Sequence, residues 1–106
     1  MNFVDTSVVV RYLVGESDKQ FEQARVILEQ DTELVLTAVV LAEVFYVLNS
    51  FYKVPREELI DALINFVQQR NIIVFGLAKE LVIKSLLLCR PSGRVSLPDA
   101  LVWATV

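Results

Sequence analysis

Three carboxylates stand where the surrounding residues do not obviously want them. Asp5 closes the apolar opening MNFV, Glu43 interrupts the run VVLAEVFYVL (residues 39 to 48), and Asp99 lies in SLPDALVWATV, which ends at Val106. Carboxylates and water suffice to hold a hard divalent cation such as Mg²⁺ or Mn²⁺, with no need for histidine or cysteine. The rest of the composition narrows the chemistry in the same direction. The chain has no histidine and one cysteine, Cys89, which excludes Ser-His and Cys-His nucleophiles, histidine-based zinc hydrolases, thiolate zinc clusters and an internal disulfide. Carboxylates and lysine remain as acid-base groups.

Each acid also has a structural reading. Asp5, Thr6 and Ser7 are all favoured helix N-caps, and Ser96 with Asp99 fits a capping box, with Pro98 suited to the first turn. For these two acids both readings stand. Glu43 differs, because its helical neighbours Val39, Val40, Tyr46 and Val47 are apolar, so the segment reads as a largely buried helix. A lone carboxylate in a dry interior costs several kcal/mol. Glu43 is therefore expected to meet either a lysine or arginine from elsewhere or a bound cation. Grouped carboxylates raise one another's pKa by repulsion, whereas a divalent ion lets them stay ionised.

The elements that must position these acids can be read from periodicity. MNFV is a short buried strand ending at Asp5, and SVVVRYLVG is a helix stopped at Gly15. A second helix runs from Lys19 to Gln30 with Phe21, Ala24, Ile27 and Leu28 as its apolar face and Ser17 or Asp18 as its cap. ELVLT is the second strand, followed by the helix AVVLAEVFYVLNSFY. A further helix begins near Pro55, with Glu57 and Glu58 at its positive end and Leu59, Leu63 and Phe66 or Val67 facing inward. NIIVFG is the third strand; AKELVIKSLLLCR is a helix broken by PSGR, and SLPDALVWATV opens another. Strands alternating with helices predict an α/β fold with a parallel sheet and helices on both faces. In such sheets the site lies beyond the carboxyl ends of the strands, where Asp5 falls.

The totals set limits. At 106 residues the chain is read as one domain, residues 1–106. Its hydrophobic share of 55% exceeds that of a typical soluble domain and predicts a partner or a homodimer. No stretch reaches the roughly 20 apolar residues of a membrane span, and the start lacks a basic region and meets Asp5 early, unlike a secretory leader. A soluble cytoplasmic protein is expected. The formal charge of -3 argues against a generic cationic nucleic-acid binder and leaves room for a local basic patch.

Taken in order, MNFVDTS, LTAVVLAEVFYVL and SLPDALVWAT resemble the PIN-domain family, and in particular the VapC-type toxin ribonucleases of bacterial toxin-antitoxin pairs. The resemblance spans essentially the whole chain. It implies a three-layer α/β/α fold around a central parallel sheet, with acidic residues at one end binding Mg²⁺ or Mn²⁺. By position, Asp5 resembles the first metal ligand, Glu43 the second and Asp99 the third, with Ser7 as the small polar residue that orients a ligand or a water. It further implies an endoribonuclease acting on RNA, with a cognate antitoxin and a second copy of itself as partners. The family commonly continues past the PDAL helix into another strand carrying a fourth acid, so the resemblance reads this chain as lacking that last strand. An inactive PIN-like module that binds an antitoxin or itself is the alternative reading. Arg11, Lys53, Arg90 and Arg94 are the cations available for an RNA backbone. A haloacid-dehalogenase phosphatase would want a second aspartate where Ser7 stands, and the acidic pair and late lysine of a response-regulator receiver are missing.

Overall fold

The computed structural model describes residues 2–15, 19–91 and 95–105. Three apolar stretches pair in parallel as β1 (Asn2–Phe3), β2 (Leu34–Leu36) and β3 (Ile72–Val74), in the order β1-β2-β3. Parallel neighbours require crossovers. Here α1 (Thr6–Val14) and α2 (Lys19–Leu28) connect β1 to β2, and α3 (Ala38–Ser50) and α4 (Arg56–Val67) connect β2 to β3; α5 (Lys79–Cys89) and α6 (Leu97–Thr105) follow. The result is a helix-rich α/β fold on a small parallel sheet, as expected for a PIN-like chain.

The ends of the helices follow local chemistry. Asp5 and Thr37 have extended backbones, and their side chains accept from Ser7 N–H and Val40 N–H respectively, so each caps a helix that starts directly after a strand. Gly15, with φ of 71°, ends α1 in the left-handed region that glycine adopts most easily. Ser96 Oγ accepts from Asp99 N–H at 3.3 Å, one half of the capping box. The caps expected from Ser17 and Asp18, and the break at Ser92, Gly93 and Arg94, lie outside the described residues.

Strand β2 is wholly buried, and with Ile72, Val74 and Val4 it supplies the floor of a core completed by Leu41, Val44, Leu48, Leu59, Leu63, Phe66, Val82 and Leu86. Alternation along the strands sends Phe3, Val35 and Ile73 to the other face. There Phe3 and Phe75 are 54% and 55% exposed with ring centroids 6.0 Å apart, so the described helices leave this part of the second face open, and β1 is exposed where a buried strand was expected. Ile27 also departs from expectation. In α2 only Ala24 and Leu28 are buried while Ile27 is exposed, because the contact with α1 narrows the buried stripe to one residue per turn.

Polar ties fix the packing. Tyr12 packs against Phe21 and Phe66, donates to Glu29 Oε2 at 2.8 Å and accepts from Gln69 Nε2 at 3.1 Å. Burial, reinforced by the Glu29 bond, pushes its phenol above the usual value. Asn71 Nδ2 reaches the carbonyls of Leu28 and Gln30, both at 2.9 Å, and so satisfies the end of α2. Ser85, buried on α5, donates to Leu81 O at 2.8 Å and faces Ala100 O of α6 at 3.3 Å. Cys89 is buried, and burial raises its thiol pKa against a smaller lowering by Arg56, which makes it an inert core residue.

Two measurements check this packing. Leu63 is fully buried, so Leu63→Ala is expected to lower the urea-unfolding free energy by about 2–5 kcal/mol; a smaller loss would mean that the site is not close-packed. Arg90 lies 3.0 Å from Asp61 and holds its carboxyl below the usual carboxylate range. The stabilisation is thus present above the unfolded pKa and fades as pH falls through the lower folded value, below about pH 4. Asp61→Asn should flatten the acid limb of the urea midpoint against pH, and an unchanged limb would remove the pair from the account.

Candidate active site

Because β1 and β2 run parallel, both of their carboxyl ends reach the same edge of the sheet. Asp5 follows the first and Thr37 the second, so α1 and α3 start side by side and pack along their length. Glu43 stands in the second turn of α3. Thr6, the first residue of α1, donates from Oγ1 to Glu43 Oε2 at 3.4 Å, a long hydrogen bond that joins the two helices. Asp5 Oδ1 is held at 3.0 Å by Ser7 N–H. The fold therefore brings Glu43 to the residue next to Asp5 across 37 positions of chain.

Glu43 is exposed, which corrects the expectation that it is buried. Helix α3 sends Leu41, Val44, Phe45 and Leu48 into the core and turns Val39, Glu43 and Tyr46 outward. Val39 and Tyr46 are 67% and 69% exposed, so this helix has an outer stripe made largely of apolar residues. The carboxylate lies on that stripe and bears no burial penalty that a counter-ion must offset.

Asp99 enters from α6, which is anchored through Leu97, Ala100 and Leu101 and touches α3. Its neighbours Pro98 and Leu101 line an open groove of about 540 Å³ together with Glu43, Ala42, Tyr46 and Val47 of α3. Asp99 is exposed. Among the described residues, no three acidic or cysteine side chains lie close enough together to hold a metal ion. The donor chemistry nevertheless suits a hard cation. Asp5, Glu43 and Asp99 form no ion pair among the described residues, whereas Glu22 and Glu29 pair with Arg25, and Glu57 and Asp61 with Arg90.

A second cleft, of about 500 Å³, adjoins Asp5 and is lined by Thr6, Ser7, Val10, Arg11, Val47, Phe51 and Tyr52. Val47 lines both clefts. The exposure of Phe51 and Tyr52 has no signature in the sequence beyond an aromatic pair at a helix end. The bond from Thr6 could be anticipated only once α1 and α3 were known to be adjacent. Of the cations considered for an RNA backbone, Arg90 is engaged with Asp61, Arg94 lies outside the described residues, and Arg11 borders Asp5.

Compared with known families, residues 3–106 match the PIN domain. The chain belongs to the PIN-domain family, whose members are generally nucleases and typically use divalent metals. Comparison with curated proteins and with solved structures gives no match. Among the described residues, no helix is long and apolar enough to cross a membrane.

The exposure of Glu43 makes a direct prediction. Glu43→Gln should leave the unfolding free energy within about 0.5 kcal/mol of the parent, as for an ordinary surface change. A loss of about 3–5 kcal/mol, the cost of breaking a buried ion pair, would return Glu43 to the interior.

Proposed function

We propose that this PIN domain is a Mg²⁺- or Mn²⁺-dependent endoribonuclease of the VapC type, the toxin of a type II toxin-antitoxin pair acting in the cytoplasm. Asp5, Glu43 and Asp99 would hold the ion, with Ser7 supporting Asp5. The observation that carries the reading is the hydrogen bond from Thr6, the residue after Asp5, to Glu43, at the carboxyl edge of a parallel sheet in a chain of a nuclease family. A bound divalent ion supplies a more acidic water and charge neutralisation at a phosphate.

The residues' own tasks follow from their contacts. Ser7 N–H fixes the rotamer of Asp5, and Thr6 donates to Glu43, so each carboxylate keeps an oxygen for another partner. With no histidine in the chain, a carboxylate is the group available to accept a proton from an attacking water. Asp5, Glu43 and Asp99 are all exposed, and reorienting a side chain at a surface costs little. A cognate antitoxin and a second copy of the chain are the protein partners of this reading.

The exposed apolar stripe on α3, with Val102 and Trp103 on α6, favours a second reading as a PIN-like module that binds protein without catalysis. One experiment separates the two. RNA cleavage by the purified chain is expected with Mg²⁺, absent in EDTA, and reduced by two orders of magnitude or more in Asp5→Asn and Glu43→Gln, as for loss of a group acting in the transition state. Cleavage that survives both substitutions would defeat the nuclease assignment of these acids. Absent cleavage together with no Mn²⁺ uptake in calorimetry would favour the binding module.

A further inference from the structure

The cleft beside Asp5 combines two features that the proposed metal site does not use. Phe51 is 76% exposed and meets Tyr52 edge to face, with ring centroids 5.1 Å apart. Arg11 is exposed and makes no ion pair among the described residues, although acids outnumber bases in the chain. Asp5, Thr6 and Ser7 also line the cleft and join it to the proposed metal site.

The backbone holds the aromatic pair outward. Helix α3 ends with Tyr52 N–H bonded back to Val47 O at 3.2 Å and Val54 N–H to Leu48 O at 2.9 Å, around Lys53 at φ of 55°. Lys53 is the one non-glycine residue with positive φ among the described residues. The left-handed region is costly for a lysine. It turns the chain sharply after Tyr52 and leaves both rings on the surface, where two aromatics cost solvation and need a reason.

We propose that this cleft is the subsite for one unstacked nucleotide of an RNA strand, whose base stacks on Phe51 with Tyr52 at its edge and whose phosphate meets Arg11. The inference rests on the nuclease reading and adds the place, and the residues, that hold a nucleotide next to the proposed metal site. Aromatic faces accept any base, but only one that has left a helical stack. Arg11 provides the charge complement that the three acids lack. Glu43, Val47 and Phe51 follow one another at spacings of four along α3, so the subsite lies about 12 Å along the helix from Glu43 at about 1.5 Å per residue. That separation lets one strand reach both places. A protein-docking patch would instead be depleted of acids at its centre, and this cleft is lined by Asp5.

The test is binding of a fluorescein-labelled, unstructured RNA 12-mer, followed by anisotropy in EDTA, to the full chain and to Phe51→Ala, Phe51→Leu and Arg11→Gln. Cleavage of the same RNA with Mg²⁺ is measured in parallel. Both Phe51 substitutions should weaken binding about tenfold or more, because Leu keeps the apolar area but offers no ring to stack on. Arg11→Gln should weaken binding and lessen its dependence on salt. The same 12 bases presented as a duplex should bind more weakly than the single strand. If the chain cuts RNA but all three variants bind it as the parent does, or if duplex is preferred, the subsite is wrong and the nuclease reading stands. If the parent neither binds nor cuts RNA, both fall together. Loss of self-association in the Phe51 variants with RNA affinity unchanged would show a protein interface instead.

Discussion

The parallel pairing of β1 with β2 is the constraint on which the candidate site depends. Two residues of β1 are enough to set it, because Asn2 lies opposite Leu34, Phe3 opposite Val35, and Val4 N–H continues the ladder to Val35 O at 2.9 Å. A parallel register sends both strand ends to one edge. Whatever follows each strand then starts a helix at that edge, so the capping residues Asp5 and Thr37 become neighbours in space. Had the strands run antiparallel, α1 and α3 would begin at opposite ends of the sheet, and Thr6 could not reach Glu43. The buried β2 is what keeps this register, since a slip of one residue would turn Leu34 and Leu36 out of the core.

Much of this arrangement was legible in the sequence, because the signals were local. The three strands, the stop at Gly15, the start near Pro55 and the inward residues Leu59, Leu63 and Phe66 or Val67 each follow from propensity and period and appear in the structure, which buries both Phe66 and Val67. The setting of Glu43 was not legible. With nine of ten residues apolar between 39 and 48, the segment shows almost no amphipathic contrast. The exposed stripe of α3 could not be told from its buried stripe by composition. Glu43 marks the outer face of α3, and its place in an apolar run reflects that face rather than burial beside a counter-ion. Ile27 failed for a related reason, since four apolar residues fit one helical face but α1 covers only part of it.

Four acids, Glu22, Glu29, Glu57 and Asp61, are neutralised locally by Arg25 and Arg90, through contacts of 3.0 to 3.9 Å. Exposed pairs of this kind contribute little to stability. Asp5 and Glu43 have hydroxyl or amide donors instead of cations. Such donors orient a carboxylate without cancelling its charge, so Asp5 and Glu43 keep theirs at the sheet edge.

The apolar surplus bears on the same edge. Val39 and Tyr46 flank Glu43 on α3, and Pro98 and Leu101 face it from α6. The Oε2 contact to Thr6 keeps this exposed carboxylate oriented. Solvent weakens the pull of any single exposed acid on a cation, so an ion at this edge is held by several acids together. The exposed hydrophobic residues and these carboxylates thus share one edge, with Arg11 and the rings of Phe51 and Tyr52 lining the cleft next to Asp5.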